Sequence, residues 1–165
     1  MASELKPGKT DLEIANKWTH SSKDRFLKRG DEVFAVPCSM DDYLHLFQNL
    51  KIVKAGTKVF IVKKNDYLPS HELSLSHLIR KDAFPQEEIN LSMAVSYLRR
   101  DNFILHTASK GWNIVTYKGI NLGFVKNIGN RVNNYFPVEW RIRMNSSEAG
   151  VGAIIKWNSD DRSIT

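Results

Sequence analysis

Apolar residues along this chain fall into short runs separated by Gly, Pro, Asn and Asp. Near the start they stand at Leu12, Ile14, Ala15 and Trp18, then at Phe26 and Leu27. The first four have helical spacing, and Asp11 is placed to cap a short helix before them. Val33-Phe34-Ala35-Val36, ended by Pro37, and Lys58-Val59-Phe60-Ile61-Val62-Lys63, opened by a turn at Gly56, predict two strands. Between them, Ser39 followed by Asp42 is a weak capping box, after which Tyr43, Leu44, Phe47 and Leu50 share a helical face. Pro69-Ser70 predicts the start of a further helix, with Leu73, Leu75, Leu78 and Ile79 as its apolar positions.

The pattern changes after Pro85. Ile89 and Leu91 lead into Ser92, a suitable N-cap for a helix over Met93–Arg100. Short β-like runs follow at Phe103–His106, Trp112–Tyr117 and Leu122–Val125, with Gly111, Gly119 and Gly129 marking the turns. The last stretch is rich in Ser, Asn and Asp, and Val151–Trp157 has the pattern of one added strand. The expectation is an α+β chain: a lead-in over 1–29 with helical spacing, a small α+β unit over 30–81, a mixed β pseudo-barrel with one or two helices over 82–146, and a polar tail over 147–165.

Composition narrows the function classes. The chain is 42% hydrophobic with 10% aromatic residues, enough for a packed core. Its net charge of +6 favours a polyanionic partner, though only modestly. The single cysteine, Cys38, excludes an internal disulfide framework and a Cys-rich zinc site, and fits a reducing compartment. No apolar run approaches the ~20 residues of a membrane span, and the N-terminal residues lack the apolar core of a signal peptide. A soluble cytoplasmic protein with no membrane partner is expected.

Catalytic and metal-binding patterns are sparse. The histidines are His20, His45, His71, His77 and His106, and none has His-x-x-x-His spacing. His71 and His77 lie too far apart for one helical face. The acid pairs Asp41-Asp42, Glu87-Glu88 and Asp160-Asp161 are adjacent in sequence, so their side chains diverge and make poor acid/base dyads. No Gly-x-Ser-x-Gly nucleophile turn is present. No catalytic residue, metal ligand or cofactor is expected.

The densest chemical signal lies from Gly119 to Arg143. Lys118, Lys126, Arg131, Arg141 and Arg143 surround Tyr117, Phe124, Tyr135, Phe136 and Trp140, and Glu139 is the only acid in the stretch. Cations attract phosphate without regard to sequence, while aromatic faces stack on unpaired bases. Strand alternation places Leu122, Phe124 and Lys126 on one face, with Phe124 inward and Lys126 at the exposed end. Gly123 allows backbone or a ligand to approach closely. Asn133 and Asn134 suit a turn, and their amides are also able to read base edges. Arg141 and Arg143 alternate onto one face and are assigned to phosphate. Tyr135 and Trp140 are assigned to the core. Arg99, near the end of the predicted helix, is favoured there by the helix dipole.

Taken in order, these pieces resemble a known pair of modules. The series runs from Val33-Phe34-Ala35-Val36-Pro37 through Ala55-Gly56 and Pro69-Ser70-His71-Glu72-Leu73, then Ala94-Val95-Ser96-Tyr97-Leu98-Arg99, Gly111-Trp112 and Thr116-Tyr117-Lys118-Gly119. It continues through Leu122-Gly123-Phe124-Val125-Lys126, Asn133-Asn134-Tyr135-Phe136-Pro137 and Trp140-Arg141-Ile142-Arg143. It resembles the C-terminal part of RsmF-type bacterial ribosomal RNA cytosine-5 methyltransferases, in which a small linking domain precedes a PUA-like RNA-binding domain.

The resemblance implies RNA binding in the service of methylation, with ribosomal RNA as the first candidate and transfer RNA the second. It implies a methyltransferase domain as partner, in cis or in trans. It also places Gly123 and Lys126 on the RNA-facing surface and Arg99 in a recurrent Tyr-Leu-Arg element. The resulting RNA-binding set is Lys118, Lys126, Arg131, Asn133, Asn134, Arg141, Arg143, Gly123 and Arg99. The family's catalytic domain uses S-adenosylmethionine, and no Gly-rich loop after a strand is available here to seat it. The chain is therefore expected to be non-catalytic, as a piece of a longer enzyme or as a freestanding relative. Such methyltransferases also carry a Pro-Cys motif. Pro37-Cys38 follows Val36 rather than an acid, so a structural role is expected for Cys38. The alternative is a protein-interaction module that recruits a separate methyltransferase or ribosomal protein through the Leu73–Ile79 helix.

Overall fold

The computed structural model describes residues 6–20, 23–43, 53–64, 66–101, 105 and 107–143. Helix α1 (Lys9–Trp18) begins at Gly8, whose N–H donates to the Asp11 carboxylate at 3.2 Å. Asp11 thus caps from the third helical position rather than from the position before the helix. The carboxylate also accepts from the Tyr67 hydroxyl at 3.4 Å and, in a largely buried ion pair, from Lys28 Nζ at 2.8 Å, which fastens α1 to the strand opposite.

That strand is β1 (Asp24–Arg29). It pairs antiparallel with β2 (Glu32–Pro37), which pairs with β3 (Thr57–Lys63), which pairs with β4 (Asp66–Pro69). Residues 24–29 of the expected lead-in are therefore a strand of the first sheet. Its sequence obscured this because β1 is a charged edge strand in which only Phe26 and Leu27 are buried, on opposite faces, a composition typical of guarded edges. Strands β2 and β3 lie where the apolar runs predicted. Strand β4, carrying Tyr67 and Leu68, was too short to stand out.

The helix expected from Ser70 is the five-residue α2 (His71–Leu75), with the Ser70 hydroxyl accepting from the Glu72 N–H. It stops because the chain turns extended at Ser76, whose Oγ accepts from the Leu78 N–H at 3.1 Å. Residues 78–80 then pair with the end of α1: His20 N–H donates to Leu78 O, and Arg80 N–H to Trp18 O. The stretch predicted as a helix after Ser39 begins as a short 3-10 turn (Cys38–Tyr43), and its remainder lies outside the described residues.

The second sheet is mixed. Strand β5 (Gln86–Glu88) runs parallel to β6 (Gly111–Tyr117), followed antiparallel by β7 (Ile120–Asn127) and β8 (Val132–Asn134). Helix α3 (Leu91–Arg99) connects β5 to β6 and is capped by Asn90, not Ser92: the Asn90 side chain accepts from the Met93 N–H at 2.9 Å. The chain is α+β, as expected. The predicted strand runs at 103–106 and 151–157 fall wholly or mostly outside the described residues; Leu105 is described and buried. Among the described residues, no helix is long and apolar enough to cross a membrane.

Strands β6 and β7 are buried on both faces. Ile114 and Phe124 face a core that includes Trp18, Phe60, Leu73 and Phe84, whereas Val115 and Val125 face Ala94, Tyr97 and Phe136. An aromatic chain crosses from the first sheet to the second, with ring centroids 5.5 Å apart for Trp18–Phe60, 5.0 Å for Trp18–Phe84 and 4.9 Å for Phe84–Phe124. The two sheets therefore share one core across the expected boundary at 81/82. Truncating Phe124 to Ala should lower stability by about 3–5 kcal/mol. Urea unfolding read from variants that retain only Trp18 or only Trp112 should give coincident midpoints before and after the substitution. Separated midpoints would show that the sheets are not coupled in this way.

Candidate nucleic-acid interface

The residues expected to bind RNA divide into those the fold already uses and those it leaves exposed. Lys126 belongs to the first group. It stands in a cross-strand row with Trp112 and Asn133, its Nζ lies 2.6 Å from an Asp66 carboxylate oxygen, and the same ammonium sits 5.0 Å from the Trp112 ring centroid. It ties β7 to the start of β4. Asn134 is also committed: its amide nitrogen donates to Tyr97 O, and its oxygen accepts from the Phe136 N–H, both at 2.8 Å. It fastens β8 to α3. Arg99 Nε lies 2.9 Å from an Asp101 oxygen.

Gly123 corrects the expectation in a different way. It is buried, with φ +148°. A Cβ there would stand 2.3 Å from Tyr97 Oη and 2.8 Å from His71 Nδ1. The close approach that glycine permits is made by the protein's own side chains, not by a ligand. The Tyr97 hydroxyl donates to Phe124 O at 3.2 Å, and burial pushes its pKa up. Tyr97 thus remains a neutral donor.

Lys118, Arg131, Arg141 and Arg143 are exposed, and among the described residues none enters an ion pair. They do not form one row. Lys118 lies in the β6–β7 turn at φ +50°, with its Nζ 5.6 Å from the Tyr117 ring centroid. Its N–H and that of Gly119 donate to the Glu88 carboxylate, which the Thr116 hydroxyl bond and these two amides hold below its usual pKa. Arg131 lies beyond the other end of β7, in the loop to β8. Asn133, half-buried on β8, joins it on that side. Arg141 and Arg143 follow a second 3-10 turn (Val138–Trp140) in an extended segment anchored by the Ile142 N–H to Leu98 O at 3.1 Å. The strand expected for this pair is absent.

Trp140 is the residue that sequence reasoning misplaced. Assigned to the core, it is 58% exposed. Its ring centroid lies 5.4 Å from that of His71 at 74°, and His71 in turn lies 5.1 Å from Phe136. An imidazole from α2 thus supports an exposed indole from the second sheet's far end. The charged neighbours Glu139 and Arg141 were the available signal, since core tryptophans seldom sit between charges. Tyr135, also assigned to the core, is exposed at its rim, with its ring centroid 4.5 Å from that of Trp112. Cys38 is free and exposed, and among the described residues no group of three or more His, Cys, Asp or Glu is arranged to hold a metal.

The exposed arginines, Tyr135 and Trp140 all lie in the segment from 131 to 143, which closes the second sheet. Residues 85–142 match the family model of the methyltransferase RsmF PUA domain. The match contains the whole second sheet, α3 and Trp140. The chain is also 28% identical over 113 residues to the ribosomal RNA small subunit methyltransferase F of Shewanella loihica, covering 67% of this chain and 22% of that protein. That similarity is longer than the PUA match. The chain spans about a fifth of the length of this curated relative. Both findings agree with the resemblance carried by the Tyr-Lys-Gly, Leu-Gly and Asn-Tyr-Phe-Pro series.

Two outcomes follow for the His71–Gly123 contact. Gly123→Ala should destabilise the fold by on the order of 2–4 kcal/mol, because it adds backbone strain and a clash in one step; chemical denaturation measures this. The imidazole of His71 has its pKa lowered, chiefly by burial and against a smaller opposing effect of Glu72, and its Nδ1 has no hydrogen-bond partner. The unfolded chain therefore binds the extra proton more readily. Stability is fully present above the ordinary histidine value of about 6.5 and falls as pH drops through it towards the lower folded value. His71→Gln should flatten that part of the stability–pH profile.

Proposed function

We propose that this chain is a non-catalytic RNA-binding module that docks structured RNA, ribosomal RNA first, for a cytosine-5 RNA methyltransferase joined to it in cis or acting in trans. The observation that carries this reading is the exposed Trp140 ring, backed by His71 and followed directly by Arg141 and Arg143. An indole held from behind loses little freedom when a base stacks on it. Two neighbouring guanidiniums outside any described ion pair are free to neutralise phosphates. Arg131 and Tyr135 extend the same segment. The PUA match and the ribosomal RNA named for the Shewanella protein support RNA as the polyanion. No cofactor is assigned to this chain, and the chemistry on the nucleotide belongs to the partner domain.

The protein-recruitment alternative keeps only Leu75 of its proposed contact. Leu73, Leu78 and Ile79 are buried, and the helix that would have presented them ends at Leu75, which is exposed.

Binding to a ribosomal RNA hairpin with unpaired loop bases should weaken as salt rises, with log K falling linearly in log salt. The double substitution Arg141→Glu, Arg143→Glu should weaken all sequences alike and reduce the magnitude of that slope by about 2. Trp140→Ala should remove about 1–3 kcal/mol while leaving the slope unchanged. Affinity indifferent to salt would refute the phosphate-led mechanism. Labelled S-adenosylmethionine should transfer no methyl group with this chain alone.

A further inference from the structure

Lys118 remains unexplained by the segment from 131 to 143, because it lies at the opposite end of β7. The residues that follow it, Gly119, Ile120 and Asn121, line a cleft of about 670 Å³ together with His20 beyond α1, the chain from Ser74 to Lys81, Gln86 of β5 and Ile114 of β6. That volume is within the roughly 300–1,000 Å³ usual for ligand clefts. Its polar lining includes His20, His77, Arg80, Lys81, Gln86 and Asn121, and it contains no carboxylate residue. Lys81 is exposed and makes no ion pair among the described residues, whereas Arg80 is held by both oxygens of Asp82 outside the lining. Asn121 donates its amide to Ser74 O at 2.9 Å, which stitches the two walls together. Leu75 and Ile120 are exposed apolar residues on the same lining.

A second cleft provides the contrast. On the first sheet a hollow of about 600 Å³ is lined by Asp31, Glu32 and Glu72 against Arg29, Lys54 and Lys58, and Lys58 and Lys54 are paired with Glu32 and Glu72. Its charges balance, whereas the lining of the first cleft is basic and carries no carboxylate.

The two ends of α2 connect this cleft to the proposed interface. His71 at its start backs Trp140, and Ser74 and Leu75 at its end line the cleft. At 1.5 Å per residue the helix separates His71 from Leu75 by only about 6 Å along its axis. We propose that the cleft between α2 and the β6–β7 turn is a second RNA site, which takes the sugar–phosphate backbone of a single-stranded flank while the segment from 131 to 143 holds the structured part. Lys81 and Lys118 neutralise its phosphates, with Lys118 at the rim, and Leu75 and Ile120 contact the flank's sugars or bases. This inference rests on the RNA-binding reading above.

The test compares the full chain, Lys81→Glu and Arg141→Glu/Arg143→Glu on two labelled probes: a ribosomal RNA hairpin with a single-stranded flank, and the same hairpin cut blunt. Lys81 is exposed, so its reversal leaves the core intact. The native chain should prefer the flanked hairpin. Lys81→Glu should lower affinity for it by about tenfold, to the level of the blunt hairpin, and leave the blunt hairpin unchanged. The arginine variant should weaken both. If Lys81→Glu leaves the flanked hairpin unaffected while the arginine variant still weakens both, the cleft site is overturned and the RNA reading stands. If inorganic phosphate, at matched ionic strength, abolishes the flank's contribution, the cleft is a simple anion site and not a strand site. If the native chain binds neither probe at low salt, the RNA reading fails and the cleft site fails with it.

Discussion

Everything in this structure depends on β6 and β7 being buried from both sides. Ile114 and Phe124, which face each other across the strands, point into one core, and Val115 and Val125 point into the other. A strand pair so placed cannot shift register by one residue without exchanging the contents of both cores. It therefore acts as a fixed spine against which α1, the first sheet and α2 pack on one side and α3 on the other. The surface residues inherit their positions from it. Gly123 can be only glycine because Tyr97 and His71 reach the spine from opposite units. Trp140 has a support because His71 is held there.

Polar groups lock the same arrangement. Lys126 reaches Asp66, Asn121 reaches Ser74, and Asn134 reaches Tyr97. The first crosses between the sheets, the second joins β7 to α2, and the third joins β8 to the helix behind it. Exposed ion pairs contribute little each, so Lys126 serves mainly to orient the β3–β4 hairpin beside Trp112. Hydrogen bonds from amide side chains to backbone oxygens are more demanding of geometry, and they fix the segment that bears the exposed arginines.

Much of the secondary structure was legible in the sequence where strands carried β-branched or aromatic runs. Strands β2, β3, β6 and β7 lie within a few residues of their predicted places. The misses have a common cause. Strand β1 is charged, β4 and β5 are short, and α2 ends early because Ser76 captures the Leu78 amide. Each is decided by tertiary pairing, which local pattern does not reveal. The site was legible as a basic and aromatic stretch, but not in its division of labour. Spacing alone does not distinguish a lysine held by an aspartate 60 residues away from a free one. Nor does it show that Trp140 points outward, since what holds it in place is an imidazole from the other half of the chain.

The borrowed imidazole also sets a limit on dissection. A graft of residues 85–142 into another protein would carry Arg141 and the indole, but neither the His71 prop nor the aromatic cover over Ile114 and Phe124. The transplanted sheet would present a greasy flank to water, and its tryptophan would swing freely. In this molecule the stretch that the PUA family model matches is thus narrower than the set of residues that packs against it and props its tryptophan.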